Sequence, residues 1–151
     1  GMPGSGKSSC GRQLGKICGR EHIDLDDAFT ERYGKSPADV IHESGEDEFR
    51  EMETEVLSTY ASRSGLVLST GGGVVTRPEN YRLMHQNGTI VMLDRPLNEL
   101  SSRGRPISQA SGVEELARRR MPLYISWADV VVSCTCSARG DALEIIKRLN
   151  I

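Results

Sequence analysis

Gly1-Met2-Pro3-Gly4-Ser5-Gly6-Lys7-Ser8 is a complete G-x-x-x-x-G-K-[ST] element, and its reading decides the architecture of the chain. Its glycines let the backbone turn tightly enough for successive N–H groups to point into one anion-sized hollow. Lys7 can then reach the outer phosphates of a nucleoside triphosphate, and the Ser8 hydroxyl can sit on Mg²⁺. Such a loop must open a helix. From Lys7 to Gly19, residues Cys10, Leu14, Ile17 and Cys18 recur at helical spacing, and Gly19 is a suitable stop. The helix N-terminus adds its dipole and unsatisfied N–H groups to the phosphate site. Gly4, Ser5, Gly6, Lys7, Ser8 and Ser9 are therefore the residues expected to bind ATP or GTP. A fold of this kind places a buried strand just ahead of the loop, and none stands before Gly1, so the chain reads as a domain excised from a longer polypeptide.

Strand and helix signals alternate beyond the loop. Ile23-Asp24-Leu25-Asp26 reads as a short strand ending in acids. Ser36-Pro37 is a helix start, with Ser36 as N-cap and Pro37 in the first turn, and Gly45 closes that helix. Glu46 to Ser64 carries Phe49, Met52, Val56 and Tyr60 near one face and predicts a long acidic helix. Leu66-Val67-Leu68-Ser69 is an apolar run of buried-strand type that leads into Thr70-Gly71-Gly72-Gly73. The pattern then predicts a helix over Pro78 to Gln86, a strand over Thr89 to Leu93 and a short helix after Pro96. Further on it predicts a basic helix over Val113 to Arg120 that Pro122 interrupts, a strand over Val130 to Ser133 and a last helix over Asp141 to Leu149. This alternation implies one α/β domain, a parallel sheet with helices on both faces and ligands at the carboxyl ends of its strands.

Bulk properties agree. At 151 residues, with 37% hydrophobic and 26% charged, the composition is that of one soluble globular domain. No apolar run approaches the ~18 residues that span a bilayer, and no apolar leader opens the chain, so the cytoplasm is the expected compartment and no membrane partner is expected. Cys10, Cys18, Cys134 and Cys136 lack a metal-binding spacing and read as free thiols, the first two on a buried helix face. Net charge is −2, but residues 24–55 hold twelve acids against three bases, leaving nine acids and sixteen bases elsewhere. A fold that joins the two would ring a cleft with opposite charges, suited to a cation and to phosphates. One Trp and two Phe provide no stacking platform, so nucleic acid is not an expected partner.

Candidate site residues cluster at strand ends and loops. On a strand, Asp24 and Asp26 would face the same side, one supporting Mg²⁺ through water and the other taking the proton of a substrate hydroxyl. Arg50 and Glu53 lie three apart on a helix, either pairing on its surface or with Glu53 orienting an Arg50 that faces the cleft. The Gly71-Gly72-Gly73 triplet permits close backbone approach to a ligand. Arg118 and Arg119 read as a solvated face, Tyr124 and Trp127 as core.

Six ordered runs together resemble the shikimate kinases: Gly1 to Ser8, Ile23 to Asp26, Gly45-Glu46-Asp47-Glu48-Phe49-Arg50-Glu51-Met52-Glu53, Leu68 to Gly73, Gly104-Arg105-Pro106 and Arg120-Met121-Pro122-Leu123-Tyr124. The resemblance implies a three-layer α/β/α sandwich of nucleoside monophosphate kinase-like P-loop topology over residues 1–151, with a lid at about 103–117 and its first strand missing. It implies transfer of the ATP γ-phosphoryl group to the shikimate 3-hydroxyl, on the route to chorismate and aromatic amino acids, by a monomer. By similarity Lys7, Asp26 and Arg105 are catalytic, and Ser8 and Asp24 hold Mg²⁺. Asp26, Arg50, Gly71, Gly72, Gly73 and Arg120 bind shikimate, while Arg105 and Arg139 complete the ATP site. After the lid arginine the chain reads Pro106-Ile107-Ser108, where the family usually has two leucines. The residues alone leave other small-metabolite P-loop kinases, of gluconate or a nucleoside monophosphate, and a non-catalytic nucleotide-binding module as alternatives.

Overall fold

The computed structural model describes residues 1–100, 112–135 and 137–151. In chain order the elements are α1 Lys7–Cys18, β1 Glu21–Asp24, α2 Leu25–Tyr33, α3 Pro37–Ser44, α4 Glu46–Ala61, β2 Leu66–Ser69, α5 Glu79–His85 and β3 Val91–Asp94. They continue with α6 Val113–Trp127, β4 Val130–Ser133 and α7 Ala138–Leu149, and two short 3₁₀ turns fall at Val74–Thr76 and Leu97–Glu99.

The strands form two parallel pairs. β1 lies against β2 with Glu21 opposite Leu66 and Asp24 opposite Ser69, and β3 lies against β4 with Val91 opposite Val130 and Asp94 opposite Ser133. Helices cover both faces. Consecutive residues of a strand point to opposite sides, and on β3 Met92 joins one core cluster, with Phe29, Val56, Leu57 and Tyr124, whereas Leu93 joins the other, with Cys10, Val132 and Ile145. That alternation makes the architecture the three-layer α/β/α sandwich. Among the described residues β2 and β3 are not paired with each other. Between them lies a cavity of about 490 Å³ whose walls include Leu66, Val67, Leu68, Val91, Met92 and Leu93.

α1 approaches the β1–β2 pair closely because its inner face carries glycines. A Cβ at Gly11 would overlap Ser69 Oγ and stand 2.7 Å from His22 Nε2, and one at Gly15 would stand 2.8 Å from the Arg20 carbonyl oxygen. The helix thus rests on a relay in which His22 Nε2 and Ser69 Oγ are 2.9 Å apart and the Ser69 hydroxyl donates to the Lys7 carbonyl at 3.1 Å. Burial holds His22 below its ordinary pKa, against an opposing pull from the Asp24 carboxylate. The unfolded chain therefore binds a proton near pH 6.5 that the folded chain still refuses, so this histidine lowers stability as the pH falls below that value. We expect the melting temperature to drop between pH 7 and pH 5 and His22→Gln to flatten that slope; an unchanged slope in thermal melts would assign the titration elsewhere.

Four expectations need correcting. Ile23 to Asp26 is not one strand: β1 stops at Asp24, whose Oδ1 accepts the Asp26 N–H at 3.0 Å and so caps α2. Asp is among the preferred N-cap residues, and this local bond competes with extension of the strand. Pro122 does not interrupt its helix, because α6 runs through it from Val113 to Trp127. The carbonyl that loses its partner belongs to Arg118, which is exposed, so water can satisfy it. α7 starts earlier than Asp141, at Ala138, because the Ser137 hydroxyl accepts the Gly140 N–H at 3.0 Å. Cys18 is only half-buried, whereas Cys10 is enclosed and burial first, then the Asp141 charge, pushes its thiol up to about 12.

Candidate active site

A cleft of about 180 Å³ opens where α1 begins and where β1 and β2 end, the carboxyl edge at which a parallel sheet presents its ligands. Its walls bring together Gly6, Lys7, Ser8 and Ser9 from the loop and α1, Asp24 and Asp26 from the β1–α2 junction, Arg50 and Glu53 from α4, Gly71, Gly72 and Gly73 after β2, and Arg120 from α6. Residues far apart in sequence thus meet at one place. The larger cavity between β2 and β3 has mainly apolar walls and does not hold these acids and arginines.

The phosphate loop turns through Gly4 and Gly6, whose φ values of 84° and 95° are in the left-handed region that favours glycine. Ser5 between them is fully buried, and its N–H donates to the Met2 carbonyl at 3.2 Å. Lys7 Nζ donates to the carbonyls of Gly1 at 3.0 Å and Met2 at 2.8 Å, so the ammonium lies along its own loop. Behind the loop, Arg95 Nε donates to the Ser5 carbonyl at 3.2 Å, and its Nη2 is 3.5 Å from the buried carboxylate of Asp141. No motif pointed to this brace. Arg139 stands exposed in the first turn of α7, outside the cleft walls, and Arg105 with most of the expected lid lies outside the described residues.

Among the described residues no group of three or more His, Cys, Asp or Glu side chains could hold a metal ion on its own. Ser8 and Asp24 nevertheless border the same cleft and offer hard oxygen donors, the set that a small divalent cation takes together with phosphate oxygens and water. One oxygen of Asp24 is spent on capping α2, so the carboxylate that would face the metal is held in place by the backbone.

Arg50 is firmly anchored in the cleft. Its side chain is 6% exposed, its Nη1 donates to Glu53 Oε2 at 2.7 Å, and its guanidinium carbon lies 4.8 Å from the centre of the Phe49 ring. The sequence left open whether this pair lies on the surface or in the cleft, and it is buried in the cleft wall. Glu53 Oε1 is buried without a hydrogen-bond partner among the described residues, which leaves one acceptor unsatisfied at the cleft wall. Arg120, equally buried, brings a second guanidinium from α6.

The glycine triplet also answers a packing demand inside the protein. None of Gly71, Gly72 and Gly73 has a positive φ. What they supply is room: a Cβ at Gly73 would overlap the Arg50 guanidinium, one at Gly71 would stand 2.7 Å from Glu53 Oε1, and one at Gly72 would stand 2.8 Å from Pro3 Cδ. Tyr124, read as core, is indeed buried, but its hydroxyl donates to the Gly72 carbonyl at 2.5 Å and ties α6 to the triplet. Burial pushes that phenol up, partly opposed by Arg120, so it remains a donor. Gly73→Ala is expected to displace Arg50 and to cost about 10- to 100-fold in affinity for a carboxylate ligand, the worth of one charge-assisted hydrogen bond. Titration calorimetry checks this, and unaltered affinity would mean that the arginine is not the anchor.

Known proteins give the same answer from outside. The family model described as shikimate kinase matches residues 3–150. A shikimate kinase of Nitrosomonas europaea is 36% identical over 99% of this chain and 76% of its own length, and that of Halorhodospira halophila is 38% identical over 99% and 90%. Among solved structures, shikimate kinase from Acinetobacter baumannii in complex with shikimate superposes with a TM-score of 0.93 at 32% identity, covering 99% of this chain and 89% of that one. The enzyme from Aquifex aeolicus superposes with a TM-score of 0.85 at 31% identity, over 99% and 92%. Since the match extends along nearly the whole length of the chain in both sequence and backbone, this protein belongs to the shikimate kinase family.

Proposed function

We propose that the enzyme transfers the γ-phosphoryl group of ATP to the 3-hydroxyl of shikimate, yielding shikimate 3-phosphate and ADP on the route to the aromatic amino acids. The observation that carries this reading is the single small cleft in which a phosphate loop, an aspartate at a helix start and two buried arginines face one space. A small ring with a carboxylate and hydroxyls has little apolar surface, so charge-assisted hydrogen bonds must supply its affinity.

Arg50 and Arg120 take the substrate carboxylate, and Glu53 keeps Arg50 oriented while its second oxygen accepts a hydroxyl. Gly71, Gly72 and Gly73 line the ring with backbone. Asp26 accepts the hydrogen of the attacking hydroxyl and takes its proton as the phosphoryl group transfers. Lys7 turns from its own carbonyls toward the phosphates, joined by the amides of Gly4, Gly6, Ser8 and Ser9, while the Ser5 N–H, bonded to the Met2 carbonyl, keeps the loop turned around them. Ser8 and Asp24 would hold Mg²⁺, which when bound offsets the phosphate charge. Arg105 is assigned to the transferring phosphate and Arg139 to the adenine side, both on family resemblance. A lid at about 103–117 would exclude water during transfer.

The same reading makes residues 1–151 one kinase domain, acting as a cytoplasmic monomer. Three described cysteines that are free thiols support a reducing compartment, and among the described residues no helix is long and apolar enough to cross a membrane. The apolar walls of the cavity between β2 and β3, and the lack of pairing between these two strands, support a further parallel strand there.

A coupled ADP-release assay with Mg-ATP tests the function, run in parallel with shikimate, gluconate and AMP. Turnover is expected with shikimate alone. Turnover with gluconate or AMP instead, or ATP binding with no turnover on any acceptor, would overturn the reading.

A further inference from the structure

Glu46 opens α4 directly after Gly45, whose φ of 91° sets the turn into the helix. Its Oε1 accepts from both Nε at 3.3 Å and Nη2 at 3.2 Å of Arg50, and it lies 4.0 Å from Nη2 of Arg120. One carboxylate oxygen therefore sits between guanidinium groups contributed by two different helices. Glu53 takes a separate position, the Nη1 end of Arg50. The Nε and Nη2 edge is the fork that receives a carboxylate in bidentate pairing, and in this structure Glu46 holds it.

The two acids differ in what they can do next. Glu53 is 5% exposed and confined, whereas the side chain of Glu46 is 45% exposed and can swing into water. An acid leaving toward solvent is readily rehydrated, and an exposed ion pair is weak enough to exchange with a competing anion. Among the described residues no other carboxylate pairs with that edge of Arg50, whose second acid, Glu53, lies at the Nη1 end.

We infer that Glu46 is an internal stand-in for the substrate carboxylate: it holds Arg50 and Arg120 poised and must be displaced for the acceptor to bind. It is a positioning residue. This inference rests on the assignment of Arg50 and Arg120 to the acceptor carboxylate. Its consequence is counter-intuitive for a residue at the edge of a binding site, because removing its charge strengthens binding.

Glu46→Gln keeps the length of the side chain and removes the competing charge. Shikimate should bind about 1.5- to fivefold more tightly, the range an exposed ion pair is worth, with the gain in KM for shikimate and none in KM for ATP. Calorimetric titration of wild type and variant with shikimate, beside steady-state KM and kcat for both substrates, reads this directly. A melting curve of each protein establishes that both are folded, and Glu46→Ala serves as a second variant that removes the carboxylate altogether. Equal or weaker shikimate binding in both folded variants would overturn the inference and make Glu46 a plain support for Arg50. Failure of the wild type itself to bind shikimate would instead sink the proposed function.

Discussion

Asp26→Asn is expected to lower kcat about 10²- to 10⁴-fold, the usual contribution of a positioned general base, with little change in KM for ATP. The substitution keeps the size of the side chain, and the carboxylate it removes occupies the first turn of α2, bordering the same cleft as Lys7 and Ser8. A backbone bond fixes its location, since the Asp26 N–H is held by the cap oxygen of Asp24. The helix start also favours negative charge there, so the carboxylate is present without distortion of the fold. Steady-state kinetics with saturating shikimate provide the check. A kcat within about threefold of wild type would remove Asp26 as the base and leave phosphoryl transfer to positioning and charge stabilisation alone.

Arg50→Ala should weaken shikimate binding by at least about 100-fold, because at least one bidentate pair of charge-assisted hydrogen bonds is lost, each worth about 1.5–3 kcal/mol. Affinity for ATP should stay within about threefold, since none of the contacts of Arg50 reaches the phosphate loop. A second effect must be separated from the first. Glu53 is 4% exposed and would lose its partner, and breaking a buried pair from one side costs about 3–5 kcal/mol. For a domain of this size that is a fall in melting temperature of roughly 6–20 °C. The double variant Arg50→Ala, Glu53→Gln should recover most of the stability and none of the shikimate affinity. Equal losses of shikimate and ATP binding would instead make Arg50 a structural residue.

These predictions differ in how far the sequence could reach them. The helix behind the phosphate loop, the helix from Pro37 to Ser44 and the strands at Leu66–Ser69 and Val130–Ser133 were legible because their signals are local: apolar periodicity, a Ser-Pro cap and stopping glycines. The reading failed where two local signals compete. Asp24-Leu25-Asp26 alternates like a strand, but the cap bond of Asp24 turns the chain into α2 and places the two carboxylates at a helix start instead of on one strand face. Pro122 failed for a related reason, since a missing N–H is cheap when the orphaned carbonyl is exposed.

The site divides in the same way. Lys7, Ser8, Asp24, Asp26, Arg50, Arg120 and the glycine triplet were all named from motif positions, and the cleft assembles them. In the sequence Glu46 is one acid of an acidic run, Tyr124 reads as core, and Arg95 and Asp141 belong to no motif. Their roles depend on partners 52 residues away for the Tyr124 hydroxyl and 90 for Arg95.

The phosphate loop, the alternation of buried strands with amphipathic helices and the chemical identity of each charged group are written in the chain itself, because they follow from backbone freedom, residue period and side-chain chemistry. Which charges share a space emerges from packing alone. It turned the Arg50–Glu53 pair into the cleft, set Glu46 across the open edge of Arg50 and made Gly73 a matter of room for a guanidinium. Those outcomes depend on how α4, α6 and the loop after β2 pack, and contacts across layers have no period that a one-dimensional reading can detect.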